Sequence, residues 1–298
     1  MSTPILVTGG TGTLGRLVVP LLRAAGHPVR VLSRRGGPAD PGIQQVRADL
    51  LGDDDLEPAL RGVETVLHLA GGPKGDDRAT GNLVRAARRA GVRHLAYISV
   101  IGADRVPLGY FRAKLGAERA LADSGVPWTI LRAAQFHDLV LVMARTMARL
   151  PVIPVPGGLR FQPVDARDVA ARLVELALGA PAGPVPDLAG PRIHPIAELL
   201  RGYLRATGRR RPFLPVRVPG RIGRVYRAGE NLSLDGNIGT RTWEAFLAEC
   251  TAPAGSPAGG LAGRRTGPEA RPAEEHGPEA TPADGSGQAP ASSKAWRR

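Results

Sequence analysis

Residues Ile5-Leu6-Val7-Thr8-Gly9-Gly10-Thr11-Gly12-Thr13-Leu14-Gly15 decide how the chain folds. An apolar run leads into a glycine-rich turn. Apolar residues then recur at helical spacing: Leu14, Leu17, Val18, Leu21 and Leu22. This predicts a buried strand, a tight loop and a helix over residues 14–25 that stops at Gly26. The loop reads as G-x-G-x-x-G from Gly10 or as G-x-x-G-x-x-G from Gly9. In both readings glycine permits the tight turn, lets backbone approach a pyrophosphate and seats the helix on the sheet. Amides at the helix start then meet the phosphate charge. The flanking strand and helix are the context this fingerprint needs. Thr8, Gly9, Gly10, Thr11, Gly12, Thr13, Leu14 and Gly15 are therefore expected to bind a dinucleotide.

Outward from this loop, short β-branched runs alternate with helical patterns. Strands are predicted at residues 29–32, 43–46, 63–69, 94–100 and 128–131, and helices at 53–61, 78–90 and 110–124. Alternation of this kind predicts an α/β fold, a Rossmann-type doubly wound parallel sheet with helices on both faces. The second half is less regular. It reads as a strand at 160–164, a helix at 165–178 with Asp165 as N-cap, a strand at 184–188, and helices at 196–206 and 242–249. The expected organisation is a nucleotide-binding core over 1–150, then late strands with a small C-terminal substrate-side cap over 151–250. Residues 251–298 are almost wholly Ala, Gly, Pro, Ser, Thr and charged residues, and read as a disordered tail.

The composition narrows the function. The chain has 298 residues, 43% of them hydrophobic, enough for a sizeable core. Aromatics make up 4%, which leaves few stacking platforms for single-stranded nucleic acid. The single cysteine, Cys250, excludes a disulfide framework and a Cys-rich zinc site. No pair of histidines stands at metal spacing, so no metal site is expected. Residues 1–10 lack a targeting pattern and the most apolar later run is too short to span a bilayer, so a cytoplasmic location and no membrane partner are expected. The formal net charge is +13, carried almost entirely by Arg; the three lysines are Lys74, Lys114 and Lys294. A rare internal Lys hints that Arg could not serve there.

The end of the second strand addresses cofactor choice. A site for NAD usually places an acid there for the ribose hydroxyl. Here the strand runs into Ser33-Arg34-Arg35. Guanidinium groups bind a 2′-phosphate and a carboxylate would repel it, so NADP(H) is expected over NAD(H). Tyr110 and Lys114 stand four apart at the start of a predicted helix, on one face. A cation beside a phenol would lower its pKa and make it a usable acid or base. Ser99 ends the preceding strand, at the carboxyl edge where open α/β sheets bind ligands.

With the glycine loop, these residues resemble the short-chain dehydrogenase/reductase superfamily, and more narrowly its atypical NmrA-like, NAD(P)-binding branch. Ala48-Asp49-Leu50, residues 66–71, Tyr97-Ile98-Ser99, residues 129–132, Pro163-Val164-Asp165 and Asp168-Val169-Ala170 extend the likeness. The resemblance implies that Asp49 and Leu50 flank the adenine, and that Leu69, Ala70 and Gly71 line the middle of the cofactor. Arg132, Ala133, Ala134 and Phe136 would lie near the nicotinamide. Tyr110 would pass a proton to the substrate, Lys114 would hold the nicotinamide ribose and tune Tyr110, and Ser99 would polarise the carbonyl. The implied activity is an NADP(H)-dependent reductase of a small carbonyl, quinone or similar substrate. A non-catalytic NADP(H) sensor working through a protein partner, and a sugar-nucleotide epimerase or dehydratase, stay open.

Other residues have simpler readings. His68 reads as a satisfied core or cofactor-adjacent residue, and His94 as exposed. His137 would lie near the substrate pocket, with Asp138 capping a helix. Met143 and Met147 read as a core stripe, and Asp53-Asp54-Asp55 as acids favoured at a helix start. Residues 201–227 hold nine Arg and no acid. This reads as a solvated face, with prolines breaking any recognition helix, so nucleic acid is not expected as a partner. Whether the chain pairs with itself stays open.

Overall fold

The computed structural model describes residues 3–36, 40–52, 54–72 and 74–252. The predicted tail from residue 253 onward and Asp53 lie outside the described residues. The first half runs β1 (Ile5–Thr8), α1 (Gly15–Ala24), β2 (Val29–Ser33), β3 (Ile43–Arg47), α2 (Glu57–Leu60), β4 (Thr65–His68), α3 (Asp76–Arg89), β5 (His94–Val100), α4 (Gly109–Ala122) and β6 (Trp128–Ala133). The second half runs α5 (His137–Met147), β7 (Ile153–Pro156), β8 (Arg160–Phe161), α6 (Ala166–Leu178), β9 (Gly183–Pro184), β10 (Leu188–Ala189), β11 (His194–Pro195), α7 (Ile196–Ala206), β12 (Phe213–Val216), α8 (Gly220–Ala228), β13 (Asn237–Ile238) and α9 (Trp243–Thr251).

Nine strands form one parallel sheet in the order β13-β10-β6-β5-β4-β1-β2-β3, with β9 also against β6. The doubly wound expectation is met. Because side chains alternate across a strand, β1 feeds two cores at once. Ile5 and Val7 pack with Val18, Leu22, Val169 and Leu173 from α1 and α6. Leu6 packs on the other face with Leu83 and Leu121 from α3 and α4. The chain leaves β1 toward β2 on one side and returns as β4 on the other, so the carboxyl end of β1 is the topological switch point.

A further core joins α5 to the C-terminal helices. Trp243 and Phe246 of α9 pack with Leu199 and Tyr203 of α7 and Val140 of α5. Asp165 caps α6 as expected, accepting from the Arg167 amide at 2.8 Å. Several expectations are corrected. The helix predicted over 53–61 shrinks to α2, because Asp54 and Asp55 turn back onto the amides of Asp49 and Glu57 instead of extending it. The strands predicted at 160–164 and 184–188 are two-residue pairings. The basic stretch carries elements the prolines concealed: β12 pairs in parallel with β7, and Pro219 precedes α8. β12 has β7 as its one strand neighbour, so Pro215 needs no amide for a second ladder.

His94 is buried, not exposed; its Nε2 meets Thr129 Oγ1 at 2.9 Å across β5 and β6. Asp138 lies in the first turn of α5 and makes no capping hydrogen bond. His137 is fully buried. Its Nε2 donates to the Pro163 carbonyl at 3.1 Å and its ring packs on Trp243 and Phe246, so it fixes the cap instead of facing a substrate.

Trp243 is 1% exposed and its Nε1 donates to the Leu199 carbonyl at 3.2 Å. Trp243→Ala is expected to cost about 3–5 kcal/mol, read as a lower midpoint in urea unfolding, because cavity and lost hydrogen bond add.

Candidate active site

The glycine loop stands at the switch point. Gly9 has φ +70, and a Cβ there would lie 2.7 Å from the Ala70 amide nitrogen. A Cβ on Gly15 would lie 2.4 Å from Gly10 backbone. Backbone therefore meets backbone with no room for a side chain, which draws the ends of β1 and β4 together and seats α1. The first turn of α1 carries no acid, so its amide end is favourable for an anion.

A groove of about 420 Å³ opens from this loop along the carboxyl edge of the sheet. Of the predicted cofactor residues, Gly9, Thr11, Gly12, Ser33, Arg34, Asp49, Leu50, Leu69, Ala70 and Gly71 line it. Leu51, Gly72, Lys74, Gly75 and Asp76 also line it and were not anticipated. The rest stand elsewhere. Thr8, Gly10, Leu14 and Gly15 are buried under the loop, and Ala133 and Ala134 are core. Thr13, Arg35 and Phe136 do not line the groove. Arg132 does not line the groove; its guanidinium bonds Glu118 at 2.6 and 2.9 Å and Asp104 at 2.9 Å. A hollow of about 540 Å³ lies at the opposite, amino edge beside His27, Glu64 and Arg93. Ligands of open α/β sheets bind at carboxyl ends, so the groove at the glycine loop is the candidate.

A chain of buried polar groups runs beneath the groove. The Ala70 amide donates to Thr8 Oγ1 at 3.1 Å, and Thr8 Oγ1 lies 2.7 Å from His68 Nδ1. His68 Nε2 lies 3.0 Å from Thr80 Oγ1, and the His68 ring stacks on Tyr97. Lys114 Nζ donates to Tyr97 Oη at 3.2 Å and to the Ile98 carbonyl at 3.2 Å, and forms an ion pair with Asp76 Oδ2 at 3.0 Å. Both members of the pair are at least 95% buried. Asp76 Oδ1 also accepts from the Gly72 amide at 2.7 Å. A Cβ on Gly71 would come within 3.1 Å of both Lys114 Nζ and Asp76 Oδ2, so glycine keeps this pair next to the groove.

The Tyr110–Lys114 reading is corrected in its electrostatics. The two residues share a helix face, but Lys114 is occupied by Asp76, Tyr97 and the Ile98 carbonyl. Tyr110 is 40% exposed. Its pKa is not lowered; burial, then the Asp76 charge, push it up to about 12. Ser99 is 4% exposed, and its hydroxyl has no hydrogen-bond partner among the described residues. The sequence reading missed Asp76 because the helix was expected to begin at residue 78. Among the described residues, His194, Glu198 and Glu244 also bring ligand-type atoms within 4.8 Å of one another, a grouping that histidine spacing does not reveal. His194 Nδ1 is 3.2 Å from Glu198 Oε1, and Arg192 Nη1 is 3.9 Å from Glu244.

Residues 9–177 match a family model described as NAD(P)H-binding. The chain is 36% identical over 181 residues to a (4-alkanoyl-5-oxo-2,5-dihydrofuran-3-yl)methyl phosphate reductase of Streptomyces griseus; the match covers 59% of this chain and 63% of that relative's length. It is 31% identical over 215 residues to an NAD(P)H azoreductase of Xenophilus azovorans, covering 69% of this chain and 74% of the relative. The crystal structure of an NADPH-dependent quinone oxidoreductase of Escherichia coli, complexed with NADPH, is similar with a TM-score of 0.71. That likeness covers 83% of this chain and all of the other at 23% identity, and is one of fold. No helix among the described residues is long and apolar enough to cross a membrane.

Burial, then the Lys114 charge, push the pKa of His68 down to about 3. Between that value and the ordinary 6.5, the unfolded chain holds a proton that the native chain does not. Stability should therefore fall as pH falls through this window, by up to about 1.4 kcal/mol per unit. Urea unfolding across pH is expected to show this slope, with His68→Gln flattening it; an unchanged slope in the variant would place the titration elsewhere.

Proposed function

The chain belongs to the NAD(P)H-binding family, and from this we propose that it is an NADP(H)-dependent reductase of a small carbonyl, quinone or similar organic substrate. We assign it to the short-chain dehydrogenase/reductase type, NmrA-like branch. The observation that carries the reading is the groove that joins the glycine loop, Arg34 and Asp76, the ion-pair partner of the buried Lys114, along one sheet edge. The named activities of the relatives, a (4-alkanoyl-5-oxo-2,5-dihydrofuran-3-yl)methyl phosphate reductase and an NAD(P)H azoreductase, support reduction as the reaction class.

The residues present fit a phosphorylated dinucleotide. Gly9 and Gly12 would bring backbone to the pyrophosphate, with the start of α1 behind them. Arg34 stands on the groove at the end of β2, where β2 itself ends on Ser33 and not on an acid, and would take the 2′-phosphate. Asp49 and Leu50 would border the adenine, and Ala70 and Gly71 the middle of the cofactor. When bound, the cofactor supplies a hydride.

The protein's own part is the proton. The Tyr110 phenol is protonated at neutral pH, and in this reading it gives its proton to the developing substrate oxyanion. Its partial exposure lets water reprotonate it. Asp76 balances the Lys114 charge and fixes its Nζ beside Gly71, so that Lys114 cannot swing away. The unpartnered Ser99 hydroxyl is available to donate to the substrate oxygen. In this arrangement Asp76 positions Lys114 and does not itself touch substrate.

Tyr110→Phe is expected to lower kcat by about 100- to 10,000-fold while leaving NADPH affinity within about 2-fold, because proton transfer alone is removed. Unchanged turnover would remove Tyr110 from the chemistry. If the wild type binds NADPH and shows no turnover, the sensor reading replaces the enzyme. NADPH is expected to bind at least about 10-fold more tightly than NADH, and Arg34→Gln to narrow that gap; tighter NADH binding would overturn the cofactor assignment.

A further inference from the structure

Five arginines, all exposed, line one surface hollow between α7 and β12. Arg201 and Arg205 lie four apart on α7, and Arg209, Arg210 and Arg211 follow in the loop to β12. With Leu204 and Phe213 they line a hollow of about 390 Å³. The Arg201 guanidinium lies over the Phe213 ring at 5.2 Å. None of these residues lines the groove at the glycine loop.

The cluster is electrostatically uncompensated. Other arginines are divided: Arg23, Arg93, Arg105, Arg132 and Arg167 pair with Asp40, Glu64, Glu230, Glu118 and Asp165, while Arg16, Arg47, Arg112 and Arg119 pair with no acid among the described residues. Among the described residues, none of the five has an acidic partner, and residues 201–227 contain no acid. The helix C-terminus accounts for Arg205, which lies in the last turn of α7. It does not account for the other four. A general preference for Arg explains the residue type; gathered at one hollow, these exposed charges are screened by water and salt, and a multivalent anion would engage several of them at once.

We propose that this hollow is a second, anion-selective site that takes a small ligand carrying two or more adjacent phosphate groups. Planar guanidinium forks suit phosphate oxygens, and five of them exceed what a single monophosphate can engage. The volume is that of a small-molecule site. The half-buried Phe213, braced by Arg201, gives it an apolar wall. The charges gather around one concavity and not along an extended track, which favours a compact oligophosphate over a nucleic-acid backbone.

Calorimetry of the full chain with inorganic tripolyphosphate, at about 50 and about 200 mM salt, tests this. Saturable one-to-one binding that weakens with salt is expected. The triple variant Arg205→Gln, Arg209→Gln, Arg211→Gln should bind at least about 20-fold more weakly, with an unchanged melting temperature showing that it folds. Arg210→Glu should weaken binding on its own. Arg34→Gln, in the cofactor groove, should leave tripolyphosphate binding intact. The proposal is overturned if binding is not saturable, if the triple variant binds like the wild type, or if Arg34→Gln abolishes binding. It is equally overturned if a single-stranded oligonucleotide binds this face and tripolyphosphate fails to displace it.

Discussion

The structure depends on one steric constraint, the approach of backbone to backbone at the glycine loop. A Cβ at Gly9 would press into the Ala70 amide, and one at Gly15 into Gly10. Because neither exists, the ends of β1 and β4 close on each other and α1 starts directly behind the loop. The carboxyl edge then opens as a groove floored by main chain, the surface that a pyrophosphate requires. Two cores on the two sheet faces hold this edge rigid, fed by the alternating side chains of β1.

Charge is placed under that floor with equal economy. Lys114 is buried, and a buried cation without a partner would be strongly disfavoured. Asp76, the first residue of α3, supplies the partner and is itself favoured by the amide end of its helix and the Gly72 amide. Tyr97 adds an acceptor and a ring face. Asp76 also bears on Tyr110, whose phenol is pushed up to about 12 by burial and then by that carboxylate.

Much of this was legible in the sequence because it is local. The glycine loop, the alternation of strands and helices, and the Tyr110–Lys114 spacing each depend on residues a few positions apart. Pairings between elements left no such trace. Asp76 meets Lys114 from a neighbouring helix, and Arg132 is claimed by Glu118 and Asp104 from segments 14 and 28 residues away. His94 follows a charged Arg93, which suggested exposure, yet its side chain turns inward to Thr129. In the cap, two-residue strands and proline-rich pairings carry too little periodicity to be read. The excess positive charge was visible from composition; its concentration in one hollow between α7 and β12 required the fold.

The most direct measurement is a single-turnover reaction of the purified chain with NADPH and a panel of quinones and small carbonyls, followed by nicotinamide absorbance. The account predicts loss of the reduced nicotinamide signal, matched one-for-one by reduced acceptor, with at least one member of the panel. Binding of NADPH with no oxidation by any acceptor would contradict it.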